Sequence, residues 1–182
     1  MSESAGGPFF TVGHSSRTLE EFLGLLEENT IGLVVDVRRL PGSSKYPHFD
    51  EDALRSSLSD VGIDMVRAEA LTGRRPVSKT VPFEENAWWQ NRSFHNYADH
   101  ALSEGFRDAL DELRSWGRDQ RLTVMCSEAV WWRCHRRIIA DHLLAHHEAV
   151  QHIMGPGKTV EAVMSEGAVG DDAVVTYPQA AE

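Results

Sequence analysis

Four short apolar runs set the terms on which this chain can fold. Phe9 to Val12, Ile31 to Val37, Ile63 to Val66 and Leu122 to Met125 are too short for buried helices, and β-branched residues recur in them. Leu122 to Met125 is of the kind that a buried parallel strand shows. Helical periods lie between the runs. Leu19, Phe22, Leu23 and Leu26 fall at i, i+3, i+4 and i+7, behind a capping box formed by Thr18 and Glu21. Asp50 is placed to cap a second helix with Leu54, Leu58 and Val61 on its buried face, and Gly62 stops it. Phe94 to Leu102 makes a short helix. Phe106, Ala109, Leu110 and Leu113 mark the next, with Gly117 as its stop. Ile139 and Leu143, beside Ala140 and Leu144, mark a helix starting near Arg133, and Ala149 to Met154 reads as a last strand. The order β-α-β-α-β-loop-α-α-β-α-β predicts an α/β fold: one three-layer domain, its mainly parallel sheet flanked by helices on both faces.

That domain spans residues 9–154. Residues 1–7 are small and polar and are expected to fray. Residues 155–182 form a C-terminal extension rich in Gly, Ala and acid, with a strand signal only at 173–176. Pro76 to Asn91 has no period and carries Trp88-Trp89; an excursion of that length is usually functional or mobile. The net charge of −10 argues against broad adhesion to nucleic acid or to an anionic membrane surface. Two cysteines are too few for a secreted disulfide scaffold, and neither a signal peptide nor a membrane-length apolar run is visible. A cytoplasmic protein is expected.

The chemistry gathers at the strand ends. The first run ends in His14 and Ser15, the second in Asp36 and Arg38, the third leads to Glu69, Arg74 and Arg75, and the fourth to Cys126 and Glu128. In a parallel sheet these tips share one edge, where α/β folds bind ligands. Cys126, just beyond a strand and facing a helix start, is the candidate nucleophile, since amide donors and positive potential favour the thiolate. Arg133, His135 and Arg136 add to that potential. The spacing from Cys126 to Arg133 is one residue longer than the Cys-x5-Arg loop of phosphatase-like and rhodanese-like enzymes. Glu128 is a candidate acid or base if Trp131 and Trp132 exclude water from it, and His14 is a second proton carrier. Cys134 is given a packing role, and Asp36 with Arg38 reads equally well as a structural ion pair. His142, His146 and His147 are placed on a solvated face. The cysteines lack zinc spacing, and His142 with His146 has no further ligands nearby, so neither a metal nor another cofactor is expected.

Gly13-His14-Ser15, Asp36-Val37-Arg38, Gly73-Arg74-Arg75, Tyr97-Ala98-Asp99 and Met125-Cys126-x-Glu128-x3-Trp132-x-Cys134-His135-Arg136 occur in one order. Together they resemble the bacterial and archaeal domain-of-unknown-function 488 family over about residues 9–154. The resemblance implies a single α/β domain with no assigned activity. It also makes His14, Asp36, Arg38, Arg74, Arg75, Cys126, Glu128, Cys134, His135 and Arg136 the signature positions. Region 77–92 and the acidic tail depart from the family pattern. The reading favoured is an enzyme acting on a small anionic or nucleotide-like substrate. Cys126, Glu128 and His14 are its catalytic candidates, and Ser15, Asp36, Arg38, Arg74, Arg75, Trp132, Arg133, His135 and Arg136 its substrate contacts. The alternatives are a nucleic-acid-processing or binding domain, which the net charge disfavours, a thiol-redox module using Cys126 and Cys134, and a structural ion-paired hub.

Overall fold

A computed structural model describes residues 7–171 and 174–179, so the frayed end expected at 1–7 lies, but for Gly7, outside the described residues. Six strands form one sheet in the order β3 (Asp64–Arg67), β2 (Leu33–Asp36), β4 (Leu122–Cys126), β1 (Phe9–Gly13), β5 (Val150–Gly155), β6 (Lys158–Glu161). The first five run parallel, and β6 returns antiparallel to β5. The path steps from β1 to β2 to β3 in one direction along the sheet and from β3 to β4 to β5 in the other. Right-handed crossovers then require helices on opposite faces for the two directions, and the packing follows. On one face, Phe22, Leu25 and Leu26 of α1 (Leu19–Glu28) and Leu54 and Leu58 of α2 (Glu51–Asp60) bury Phe10, Val12, Val34, Met65 and Met125. On the other, α3 (Arg92–His100), α4 (Glu104–Asp119) and α5 (Arg136–Ala145) cover Phe9, Leu33, Val35, Leu122, Val124 and Cys126. The three-layer α/β architecture is as the alternation predicts.

Several local expectations are corrected. Asp50 stands at the N-cap of α2, but its carboxylate accepts from the Ser43 amide at 3.2 Å instead of capping the helix. Val61 follows the last turn of α2 and is 43% exposed, so it is not on the buried face. Gly117 does not stop α4. The helix runs through it to Asp119, and a Cβ there would lie 2.3 Å from the Phe9 ring, so glycine serves close packing. His142 is buried, while His147 is exposed. Helix α5 starts at Arg136, not near Arg133, because Val130 and Cys134 are extended and Trp131–Arg133 is an isolated 3-10 turn.

The residues beyond 154 are integrated into the fold. The predicted boundary falls inside β5, and β6 pairs with that strand. Farther on, β7 (Val169–Asp171) and β8 (Val174–Thr176) form a hairpin, which gives the strand signal at 173–176 a place. Tyr177 is fully buried and donates its hydroxyl to Asp141 at 2.7 Å, and the Ser165 amide donates to the other oxygen of that carboxylate. The aperiodic stretch from Pro76 is held from both sides: Asn86 donates to Asp99 at 2.7 Å, and the Trp88 amide donates to the Tyr177 carbonyl at 2.9 Å.

Candidate active site

Strand β4 lies between β1 and β2, and its connection leaves toward the opposite face of the sheet from theirs. A crevice opens beyond the carboxyl ends of strands arranged in this way. The register sets Gly13 beside Cys126 and Asp36 beside Met125, so the tips named from sequence do converge. The chain leaving β4 turns across the end of β1. The amides of His14 and Ser15 donate to the carbonyls of Cys126 and Ser127 at 3.0 and 3.1 Å. A Cβ on Gly13 would stand 1.7 Å from the Glu128 carbonyl oxygen, so this crossing requires glycine.

Two sulfurs form the floor. Cys134 Sγ lies 2.8 Å from Cys126 Sγ, both thiols are free, and both are buried. Arg136, only 1% exposed, sits beneath them. Its Nε donates to Cys126 Sγ at 2.9 Å, one terminal nitrogen to Thr11 Oγ1 at 2.9 Å and the other to the Glu128 carbonyl at 2.8 Å. Its backbone amide, the first of α5, points at Cys134 Sγ at 3.5 Å. Among the described residues no carboxylate pairs with Arg136. Since an arginine only donates, Thr11 must accept from it and spend its own proton on His152 Nδ1, 2.6 Å away. His152 is thereby neutral, held down to about 3 by burial and by Arg136, and Trp131 stacks on it at 4.6 Å.

Burial opposes ionisation of both thiols. At Cys134 the hydrogen bond with Cys126 and the charge and N–H groups of Arg136 outweigh it, and bring the thiol down to about 7. At Cys126 burial and the shared proton with Cys134 push the thiol well up. Groups this close titrate as a unit. The physical content is that one proton leaves the pair near neutrality and the other stays.

A cavity of about 300 Å³ opens above the sulfurs. Arg39, Arg74 and Arg133 stand in its wall, all three exposed and none paired with a carboxylate among the described residues. His135 forms the side next to the sulfurs: its Nδ1 lies 3.4 Å from Cys134 Sγ and its Nε2 bonds the Val37 carbonyl at 2.9 Å. Burial lowers its pKa. Gly73 lets this ring approach, since a Cβ there would lie 2.7 Å from it.

The remaining predicted residues divide between this cavity and the surrounding frame. Asp36 and Arg38 are both buried and form a two-pronged pair at 3.0 and 2.9 Å, with Arg38 also bonded to the Phe49 carbonyl. The guanidinium is occupied by the protein itself, so the pair reads as structural. His14 lies 3.4 Å from Arg38 through Nε2 and bonds the Ser15 carbonyl through Nδ1. Burial drives it down to about 4. With Ser15, it faces a second cavity of about 410 Å³ that shares Arg38 and Glu128 with the first. Glu128 is exposed and lines both cavities, so Trp131 and Trp132 do not exclude water from it. Its carbonyl is what holds Arg136 and Cys126. Arg75 is tied to Thr72 and to the Glu69 carbonyl. Trp132 is 43% exposed and packs edge-on against Trp131, away from both cavities. Arg136 is buried against the thiols and lines neither cavity. Sequence reasoning missed Thr11 and His152, and counted Arg39 only as part of an arginine cluster at 38–39. A lone threonine in Phe-Phe-Thr-Val and a histidine inside the last strand were the signals for the first two.

Among the described residues no three His, Cys, Asp or Glu side chains are grouped to hold a metal ion, and no helix is long and apolar enough to cross a membrane. Fold and site together define an α/β domain with a buried dithiol at the crevice of a parallel sheet. A family model described as a domain of unknown function, DUF488, matches residues 18–143, and the chain belongs to that family. No curated protein and no solved structure matches the chain.

Proposed function

We propose that this protein is a cysteine-dependent enzyme, a hydrolase or transferase in class, acting on a small anionic substrate. The observation that carries the reading is Arg136: a buried guanidinium whose nearest groups able to take negative charge are two thiols. A thiolate is stabilised there without any added base. The anion would be held by Arg39, Arg74 and Arg133, whose forked donors suit carboxylate or phosphate oxygens. Its electrophilic atom would then lie over the sulfurs. His14 has both ring nitrogens engaged, so the free group for proton traffic is the Glu128 carboxylate at the junction of the two cavities. The nucleic-acid reading gains no support, because none of Trp88, Trp89, Trp131 and Trp132 lines the arginine cavity and the net charge is −10.

The test needs no substrate. Native protein is alkylated with iodoacetate and with iodoacetamide, and the rates are compared with those of the urea-unfolded chain. The account expects the anionic reagent to gain about tenfold over the neutral one in the native state, from the local positive potential. Arg74→Gln with Arg133→Gln should remove that gain and leave the iodoacetamide rate intact. Equal reagent preference in native and unfolded protein would refute the anion site.

A further inference from the structure

A single nucleophilic cysteine would need one sulfur, and this site has two in contact. Cys126 and Cys134 are the only cysteines of the chain, their sulfurs are 2.8 Å apart, and both border the cavity that the arginines surround. A disulfide needs the two to close by less than about 1 Å. Arg136 reaches both, Cys126 through Nε and Cys134 through its amide, so negative charge is supported on whichever sulfur carries it. Cys134 is the less enclosed of the two, at 6% against 2% exposed, and lies beside the His135 ring.

We propose that the site carries out a thiol–disulfide reduction of small anionic disulfides, with Cys134 attacking and Cys126 resolving. This rests on the anion-binding thiol site proposed above and gives that site a redox reaction in place of hydrolysis or group transfer. In the first step the Cys134 thiolate attacks one sulfur of the substrate disulfide. A mixed disulfide with Cys134 forms, and half of the substrate leaves as a thiolate. In the second, Cys126 gives its proton to solvent or to the departing thiolate and attacks the Cys134 sulfur. The second half of the substrate leaves as a thiolate, and the Cys126–Cys134 disulfide remains. The protein has lost two electrons and two protons, and the substrate has become two thiols. An external dithiol reductant returns the pair to its starting state by the reverse exchange. The acidity of Cys134 near neutrality suits an attacking thiol, and the protonated Cys126 suits one held in reserve.

Two probes of like chemistry and opposite charge test this: dithiodiglycolate, an anionic disulfide, and cystamine, a cationic one. The readout is the intact mass of the wild-type chain, with thiols counted after unfolding. The expected result is that dithiodiglycolate converts the monomer to a species lighter by two hydrogens, with no retained adduct and both thiols lost, about tenfold faster than cystamine does. Cys126→Ser should stop at one retained adduct on Cys134. Retained adducts on the wild type, sulfur-linked dimers, no reaction, or cystamine reacting as fast as dithiodiglycolate would each overturn the proposal. If the iodoacetate preference persists while the wild type keeps its adduct, the anion-binding thiol site stands and only the reduction falls. If that preference is absent, the underlying reading falls as well.

Discussion

A guanidinium removed from water costs several kcal/mol unless its donors and its charge are both answered. Arg136 has its donors answered by a thiol, a hydroxyl and a carbonyl. Its charge is answered only if the dithiol ionises, which ties the acidity of the sulfurs to this one side chain. Arg136→Met should therefore raise the pH midpoint of iodoacetamide labelling by about one to two units, the usual effect of losing an adjacent opposite charge. An unchanged midpoint would show that the sulfurs do not depend on it. Arg38 has the other kind of role, because its partner Asp36 is fully buried. Arg38→Ala should cost about 3–5 kcal/mol in urea unfolding, since it leaves a buried carboxylate alone. By contrast, Arg74→Ala on the exposed wall should stay within about 0.5 kcal/mol. The sequence marked all three arginines as site residues without separating these roles, since spacing along a chain does not reveal which guanidinium finds an internal acceptor.

Among the elements, the strands were legible because short, mostly apolar runs rich in β-branched residues, set between helical periods, have few other uses in a chain of this kind. Cys126 and its strand were placed correctly for that reason. Boundaries set by tertiary contact were not legible. Gly117 reads as a helix stop, yet its purpose is the Phe9 ring across the interface; the start of α5 is fixed by an extended Cys134 that faces Cys126. Two glycines separate the cases. Gly117→Ala should overpack the contact with Phe9 and destabilise by about 1–3 kcal/mol. Gly24→Ala, on the exposed side of α1 with nothing within 4 Å of the added methyl, should stabilise by about 0.5–1 kcal/mol. Thermal unfolding followed by circular dichroism checks both, and a Gly117→Ala protein as stable as the parent would contradict the packing role.

For the molecule as a whole, the fold brings five distant segments to one edge, and the residues beyond 154 clamp the aperiodic stretch onto it through Tyr177 and Asp141. The extension was opaque in the sequence because its anchors are single buried polar contacts, not a periodic apolar face. The dithiol also leaves a signature on global stability. Cys134 titrates near 7 when folded and near its ordinary value of 9.0 when unfolded. Its contribution is thus complete above about 9, and is lost as pH falls through about 7. Wild type should gain on Cys134→Ser by about 3 kcal/mol between those limits. Above them Cys126 acts in the opposite sense, because it keeps a proton that the unfolded chain releases. The most direct check on the shared-proton dithiol is the thiolate absorbance of the native protein during a pH titration. The account predicts one thiolate per chain, appearing with a midpoint near 7, and no second until well above the ordinary thiol range. Two thiolates rising together near the ordinary thiol value would contradict it.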